Sequence, residues 1–75
     1  MLALDQIRNN TPVRVVSIEA EGDPSLVRQL MHMGLYPGAR VRIHQRYPTY
    51  VLVADEGTVA LEEDAVRRIR VRVDV

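Results

Sequence analysis

The chain has 75 residues, enough for one domain with a small hydrophobic core, so the sequence predicts a single domain over residues 1–75. It has no Cys, which excludes a disulfide framework and a thiolate metal site, and its ten Arg balance ten acidic residues, which argues against strong general binding to nucleic acid or anionic lipid. No apolar run approaches the roughly 20 residues of a membrane span and the N-terminus lacks a secretory signal, so we expect a cytosolic protein without direct membrane insertion.

The N-terminal part of the chain predicts one strand. Leu2, Leu4 and Ile7 are spaced for a short helical turn or for an extended lead-in, and residues 9–12 then supply turn-forming side chains. Residues 13–20 are rich in β-branched side chains, which is typical of a strand.

A helix is predicted between Asp23 and Gly34. Asp23 can cap its N-terminus, Pro24 fits the first helical position, and Gly34 readily takes the left-handed conformation common just after a helix. At about 100° per residue, the helix is amphipathic. The side chains expected toward the core are Leu26, Val27, Leu30, Met31 and Met33, and those expected toward solvent are Ser25, Arg28, Gln29 and His32.

A tight turn and a second strand follow the helix. Residues 36–39 match a type II turn, in which Pro37 presets one dihedral angle and Gly38 accepts a positive φ. Over residues 40–47 apolar and polar side chains alternate, which predicts a half-buried strand. The alternation places Val41, Ile43 and Tyr47 toward the core and Arg40, Arg42, His44 and Arg46 on the other face.

Three further strands are predicted in the C-terminal half. Residues 50–54 are apolar on both faces, and a hairpin at Asp55-Glu56-Gly57 leads into residues 58–61. Residues 62–66 resemble one helical turn with acidic residues at its start, where the helix dipole favours them. The last strand is expected to place Ile69, Val71, Val73 and Val75 on one face and Arg68, Arg70 and Arg72 on the other.

These elements predict a mainly all-β fold of about five strands, with one α-helix inserted between strands 1 and 2. In so small a chain we expect a closed or nearly closed β-barrel, because closure removes the aggregation-prone edges of a sheet.

The segment Met33-Gly34-Leu35-Tyr36-Pro37-Gly38, followed by Val41-Arg42-Ile43, resembles the FeoA family, which has a leucine-glycine-hydrophobic-x-proline-glycine turn at this point. The resemblance covers most of the chain, because the strand at residues 59–61 and the segment from Ala65 to Val71 are also similar to that family's second half. One departure lies upstream: the family often has a Gly ahead of its first strand, where this chain has residues 9–12 without one.

The resemblance implies an SH3-like barrel and a role in bacterial ferrous-iron uptake, as a cytosolic partner of the FeoB membrane GTPase transporter. The same fold also forms the C-terminal domain of iron- and manganese-dependent repressors, and fold alone does not choose between these roles. The chain has no room for a winged-helix DNA-binding domain, so if it is complete we expect a stand-alone partner protein.

The residues themselves predict neither a resident metal nor a cofactor. In Met31-His32-Met33, consecutive helical side chains point about 100° apart and cannot converge on one ion. His44 stands among Arg side chains that repel a cation. Two groups of carboxylates read as solvated turns or dipole partners instead of cation ligands: Glu19, Glu21 and Asp23, and Glu62, Glu63 and Asp64.

We also expect no enzymatic activity, because neither Ser has a nucleophile motif, no His is paired with it in sequence, and the four Gly are isolated turn residues. A nucleic-acid-binding barrel is the alternative suggested by the Arg face of Arg40, Arg42 and Arg46, joined by Arg70 and Arg72. Neutral net charge and only three aromatic rings weigh against strong RNA binding.

A protein-binding role is predicted for the turn and the strand that follows it, because Tyr and Arg are favoured at protein interfaces. The candidate contact residues are Leu35, Tyr36, Pro37, Gly38, Arg40 and Arg42. The alternative is that Leu35 and Tyr36 only close the end of the barrel over the helix.

Overall fold

A computed structural model of the chain describes residues 1–74, so the predicted inward position of Val75 lies outside the described residues. The strands are β1 (Leu2–Ala3), β2 (Val13–Ile18), β3 (Arg40–Gln45), β4 (Tyr50–Ala54), β5 (Gly57–Leu61) and β6 (Ile69–Val73). A 3₁₀ turn spans Leu4–Gln6, and the helices are α1 (Pro24–His32) and α2 (Glu63–Arg67). The fold is therefore mainly β, as predicted, with α1 between the first two predicted strands.

The strands form one antiparallel sheet in the order β1-β6-β2-β3-β4-β5. The predicted number of five strands was wrong, because Leu2 and Ala3 pair with Val71 and Arg70 of β6 and add a sixth. The N-terminal segment thus combines both expected forms, an extended pair followed by a helical turn. Among residues 1–74 no ladder joins β5 to β1, so the sheet is not closed, and of the predicted closed or nearly closed barrel the closed form is corrected.

The core consists of aliphatic side chains from every strand except the short β1, together with the 3₁₀ turn and both helices. Its largest fully buried side chains are Leu4, Leu30, Leu35, Ile43, Leu52, Ile69, Val13, Val41, Val66 and Val71. No polar side chain of residues 1–74 is buried. Because burial of one such side chain contributes about 1.5–3 kcal/mol, this small cluster is the main source of stability.

A β-bulge in β3 changes which side chains of that strand face inward. The register with β4 shifts between Ile43 and Gln45, which adds one residue to β3 and breaks the period of two. Arg46 therefore turns toward the molecule, and Tyr47 is 83% exposed. The predicted inward position of Tyr47 was wrong for this reason, and the strand ends two residues earlier than expected.

Helix α1 has the predicted ends but a narrower buried face. The Asp23 carboxylate accepts a hydrogen bond from the Leu26 N–H at 3.1 Å, and Pro24 occupies the first turn. Leu30 is the buried residue of the helix, whereas Met31 and Met33 are exposed, contrary to prediction. The helix ends at His32, so Met33 no longer follows the helical periodicity on which its inward position was based.

Candidate protein-contact surface after helix α1

The end of α1 is fixed by backbone hydrogen bonds around Gly34. The Leu35 N–H donates to the Leu30 carbonyl at 2.9 Å and the Gly34 N–H to the Met31 carbonyl at 3.0 Å, while Gly34 has φ of 91°. These two bonds define a Schellman motif, in which a hydrophobic residue after the Gly packs near the last turn. Leu30 and Leu35 both belong to the buried core. The motif therefore determines where the chain leaves the helix.

The following turn is held just as firmly. The Ala39 N–H donates to the Tyr36 carbonyl at 2.9 Å, and Gly38 has φ of 93°, as a type II turn requires. The turn is tied to β2 because the Gly38 N–H donates to the Val15 carbonyl at 2.8 Å and the Val15 N–H to the Ala39 carbonyl at 2.9 Å. The exposed side chains of this turn are thus carried on a backbone with little freedom.

The structure divides the six predicted contact residues into exposed, partly exposed and buried ones. Tyr36, Pro37, Gly38 and Arg40 are exposed. Leu35 is fully buried, so it supports the turn from the core, as the alternative interpretation of this residue expects, and it is not exposed to a partner in this conformation.

Arg42 is half-buried, and its guanidinium donates to the Asn10 side chain at 3.0 Å. Of the six predicted residues, only the four exposed ones are therefore available to a partner without rearrangement.

Two residues that the sequence did not suggest extend this exposed set. Met31, Met33 and Tyr36 are 41%, 40% and 39% exposed, and they follow one another over the end of α1 and the start of the turn. We refer to Met31, Met33, Tyr36, Pro37, Gly38 and Arg40 as the turn surface. For Met33 the signal is Gly34, because the C-terminal cap ends the helical periodicity before Met33; Met31 lies within α1, and no sequence signal marks its exposure.

The tip of the β4–β5 hairpin lies beside the turn surface. A Cβ atom built on Gly34 would be 3.3 Å from a carboxylate oxygen of Glu56, so little space separates the helix end from this side chain. The negative charge of Glu56, with smaller effects from partial burial, a hydrogen bond to Glu56 and the charge of Asp55, raises the pKa of Tyr36. Tyr36 therefore stays neutral and able to donate a hydrogen bond over a wide pH range.

Arg40 is oriented by Asp74, just after β6. One Asp74 carboxylate oxygen is 2.8 Å from Arg40 Nε and the other is 3.2 Å from Arg14 Nε. Partial burial acts to raise the pKa of Asp74, but the hydrogen bond and charge of Arg14, together with those of Arg40, outweigh it and lower that pKa. Arg14 also donates to the Gly38 carbonyl at 2.9 Å, so this ion-paired group supports the turn.

Arg46 does not belong to an exposed Arg face, contrary to the sequence-based grouping with Arg40 and Arg42. It donates to the side chain of Asn9 at 2.8 Å, to the Asp5 carbonyl at 3.0 Å and to the Ile7 carbonyl. Its guanidinium carbon also lies 5.7 Å from the centre of the Tyr50 ring. The bulge in β3 turns Arg46 toward these acceptors, where it links the N-terminal segment to β3 and β4.

Within residues 1–74 no three His, Asp or Glu side chains lie close enough together to hold a metal ion. His32 and His44 are both exposed, on α1 and β3 respectively. Neither helix in the described part of the chain has the length and apolar character needed to cross a membrane.

Comparison with known structures places this geometry among FeoA proteins. FeoA from Chlorobium tepidum superposes with a TM-score of 0.88 at 21% identity, covering 99% of this chain and 71% of its own. FeoA from Stenotrophomonas maltophilia, complexed with zinc and described as a prokaryotic SH3 domain protein, has a TM-score of 0.83 at 19% identity and coverages of 96% and 91%. At such identities, structural likeness establishes the fold.

A manganese-dependent transcriptional repressor has the same fold in part of its length, with a TM-score of 0.82 at 24% identity, covering 97% of this chain and 41% of its own. None of the curated proteins matches by sequence. The family model of the FeoA domain matches residues 2–73. The resemblance seen in the sequence is therefore confirmed, and the chain belongs to the FeoA family, with an SH3-like fold.

Proposed function

We propose that this chain is a non-enzymatic cytosolic protein that binds the cytosolic part of a FeoB-type ferrous-iron transporter through its turn surface and modulates transport. Membership of the FeoA family supports a role in iron transport. The S. maltophilia relative is described as possibly acting as a bacterial ferrous iron transport activating factor, which is a statement about that protein. The observation that carries the proposal for this chain is the set of exposed apolar side chains on a rigid backbone.

The turn surface has the composition of an interface centre. Tyr, Met and Arg are enriched at protein interfaces, and a few such residues usually contribute most of the binding free energy. The backbone that carries them is already fixed by the Schellman motif and the type II turn. Binding therefore costs little conformational entropy of the backbone, which favours affinity.

The alternatives are a stand-alone relative of the repressor C-terminal domain and a small nucleic-acid-binding barrel, and the second is the rival function that the Arg contacts address. Phosphate binding needs Arg side chains that are free to neutralise the backbone charge. Here the Asp74 carboxylate offsets the charges of Arg14 and Arg40, while Arg42 is bonded to Asn10 and Arg46 to carbonyl oxygens of the chain. Breaking these contacts would oppose binding to phosphate, so the protein partner is the function that the geometry favours.

The experiment is an NMR titration of the labelled protein with the cytosolic part of a FeoB-type transporter, with ferrous iron alone as a separate titration. We expect shifts around residues 31–40 with the protein partner, and at least about tenfold weaker binding for Tyr36→Ser, equivalent to about 1.4 kcal/mol. Tyr47→Ser is the matched control, because Tyr47 is more exposed but lies beyond the other end of β3.

Equal loss in both Tyr variants, or shifts with iron alone, would contradict the proposal. Binding to RNA that weakens steeply with added salt would favour the rival function instead.

A further inference from the structure

Strand β5 is an open edge of the sheet. It pairs with β4 through five successive residues, from Ala54↔Gly57 to Tyr50↔Leu61. Among residues 1–74 no other strand pairs with it, and no backbone hydrogen bond outside this ladder involves Gly57–Leu61. Because hydrogen bonds in an antiparallel ladder alternate between the two sides of a strand, part of the N–H and C=O groups of β5 point away from β4.

The β5 edge lacks the features that usually prevent pairing with another chain. In natural proteins, edge strands are commonly short, interrupted by a β-bulge, or blocked by charged side chains or Pro. The opposite edge, β1, is only two residues long. β5 has five residues, none of them charged or Pro, and its register with β4 shows no shift. Its outer side chains at Thr58 and Ala60 are exposed and small, so another backbone can approach closely.

Charge at the two ends of β5 selects the type of strand that can pair with it. Asp55 and Glu56 precede the strand, and Glu62 and Glu63 follow it. None of these four takes part in the ion pairs found among residues 1–74. A second copy would pair antiparallel around a two-fold axis and bring the acidic start of one β5 against the acidic end of the other. Like charges would therefore oppose self-pairing.

We propose that the β5 edge binds an extended segment of another protein by strand addition. The segment that fits has about five uncharged residues of high β-propensity, matching the length of β5, with Arg or Lys at both ends. Main-chain hydrogen bonds supply the affinity, and the flanking acidic pairs select the basic ends. This edge adjoins the turn surface only at Glu56, which lies beside the end of α1. The inference holds whether or not the chain binds a transporter.

The probe is a synthetic peptide, Arg-Arg-Thr-Val-Thr-Val-Thr-Arg-Arg with blocked termini, titrated into the labelled full-length protein. We expect amide shifts concentrated at residues 57–61 and slower hydrogen exchange at alternate residues of β5. Two control peptides separate the contribution of main-chain hydrogen bonds from that of charge. One has N-methyl groups on the five central amides, and the other has Glu in place of every Arg. Both should bind at least about tenfold more weakly, the first through lost hydrogen bonds and the second through repulsion.

The protein variant for this test is Ala60→Lys, which places on the edge the kind of charge that natural edge strands use. It should weaken peptide binding at least about fivefold, whereas Gln29→Lys adds the same charge on the exposed side of α1 and should weaken it less. Circular dichroism checks that both variants remain folded.

Three results would overturn the proposal: no binding of the Arg peptide, equal binding of the N-methylated peptide, or dimers of the free protein that pair through β5. The peptide titration does not involve a transporter, so failure here is distinguishable from failure of the transporter proposal.

Discussion

The two ends of β3 use Arg side chains in opposite ways. Beyond its C-terminal end, Arg46 donates to neutral acceptors of the chain itself, including two backbone carbonyl oxygens. At its N-terminal end, Arg40 is exposed and shares the Asp74 carboxylate with Arg14, beside the exposed ring of Tyr36. At the C-terminal end of β3 the polar groups bond to one another within the chain. At its N-terminal end polar and apolar groups are exposed on a fixed backbone.

This difference separates a structural role from a binding role within one short strand. A guanidinium that is surrounded by carbonyl oxygens stabilises the fold and offers few donors to a partner. A guanidinium held by one shared carboxylate keeps free donors while its position is restricted. We therefore expect substitutions near Arg46 to affect stability, and substitutions near Tyr36 and Arg40 to affect mainly electrostatics and binding.

The largest effect is expected from Arg46→Met. This change removes the donors for the Asp5 and Ile7 carbonyls and leaves both partly buried oxygens without a protein partner. An unsatisfied polar group of this kind costs about 1–3 kcal/mol, so we expect a total loss of about 2–4 kcal/mol. Urea denaturation measures it. Because the acceptors are neutral, the loss should be the same at pH 4 and pH 7.

Arg42→Met is the matched control for this prediction. It makes the same substitution in the same segment but removes only the bond to Asn10. We expect it to cost less than about 1 kcal/mol, as is usual for one exposed polar contact. If both variants lost equal stability, the linking role of Arg46 would be wrong.

The parts of the molecule that could be predicted from the sequence are those that depend on local chemistry. The helix caps and the type II turn depend on local chemistry of Asp23, Pro24, Gly34 and Gly38, and these predictions are confirmed. β1 exists only because two residues pair with β6, which no local pattern records.

The bulge in β3 is equally non-local, since it depends on the register with β4, and it reversed the expected positions of Arg46 and Tyr47. At the candidate surface, Tyr36 and Arg40 followed from residue type. The closeness of Glu56 to Gly34 required the tertiary fold, because nothing in the intervening sequence marks that contact.

An intermediate, pH-dependent effect is expected from Asp74→Asn. The folded protein lowers the pKa of Asp74, so its carboxylate contributes stability above the ordinary pKa of about 3.9 and loses it as the pH falls through the lower folded value. Asp74→Asn should therefore be less stable than the parent chain at pH 7, and the two should converge in strong acid. Thermal unfolding from pH 7 down to pH 2 measures this convergence. A difference that stayed constant with pH would mean that Asp74 acts through packing instead of charge.

The smallest effect, and the one that tests the arrangement of the turn surface directly, is expected from Glu56→Gln. The charge of Glu56 is the largest of the causes that raise the pKa of Tyr36, and the charge of Asp55 is the smallest. Glu56→Gln should lower the pKa of Tyr36 toward its ordinary value of about 10, and Asp55→Asn should lower it less.

The measurement is a pH titration of the Tyr36 ring carbon signal by NMR in the parent chain and in both variants. The raised pKa also means that the neutral ring favours the folded state, so Tyr36 contributes stability below about pH 10 that is lost as the pH rises through the folded pKa. Glu56→Gln should make this loss smaller, because it brings the folded pKa closer to the unfolded one. An unchanged Tyr36 titration would show that the hairpin tip does not lie against the helix end in solution, and the turn surface would then have no adjoining carboxylate from that hairpin.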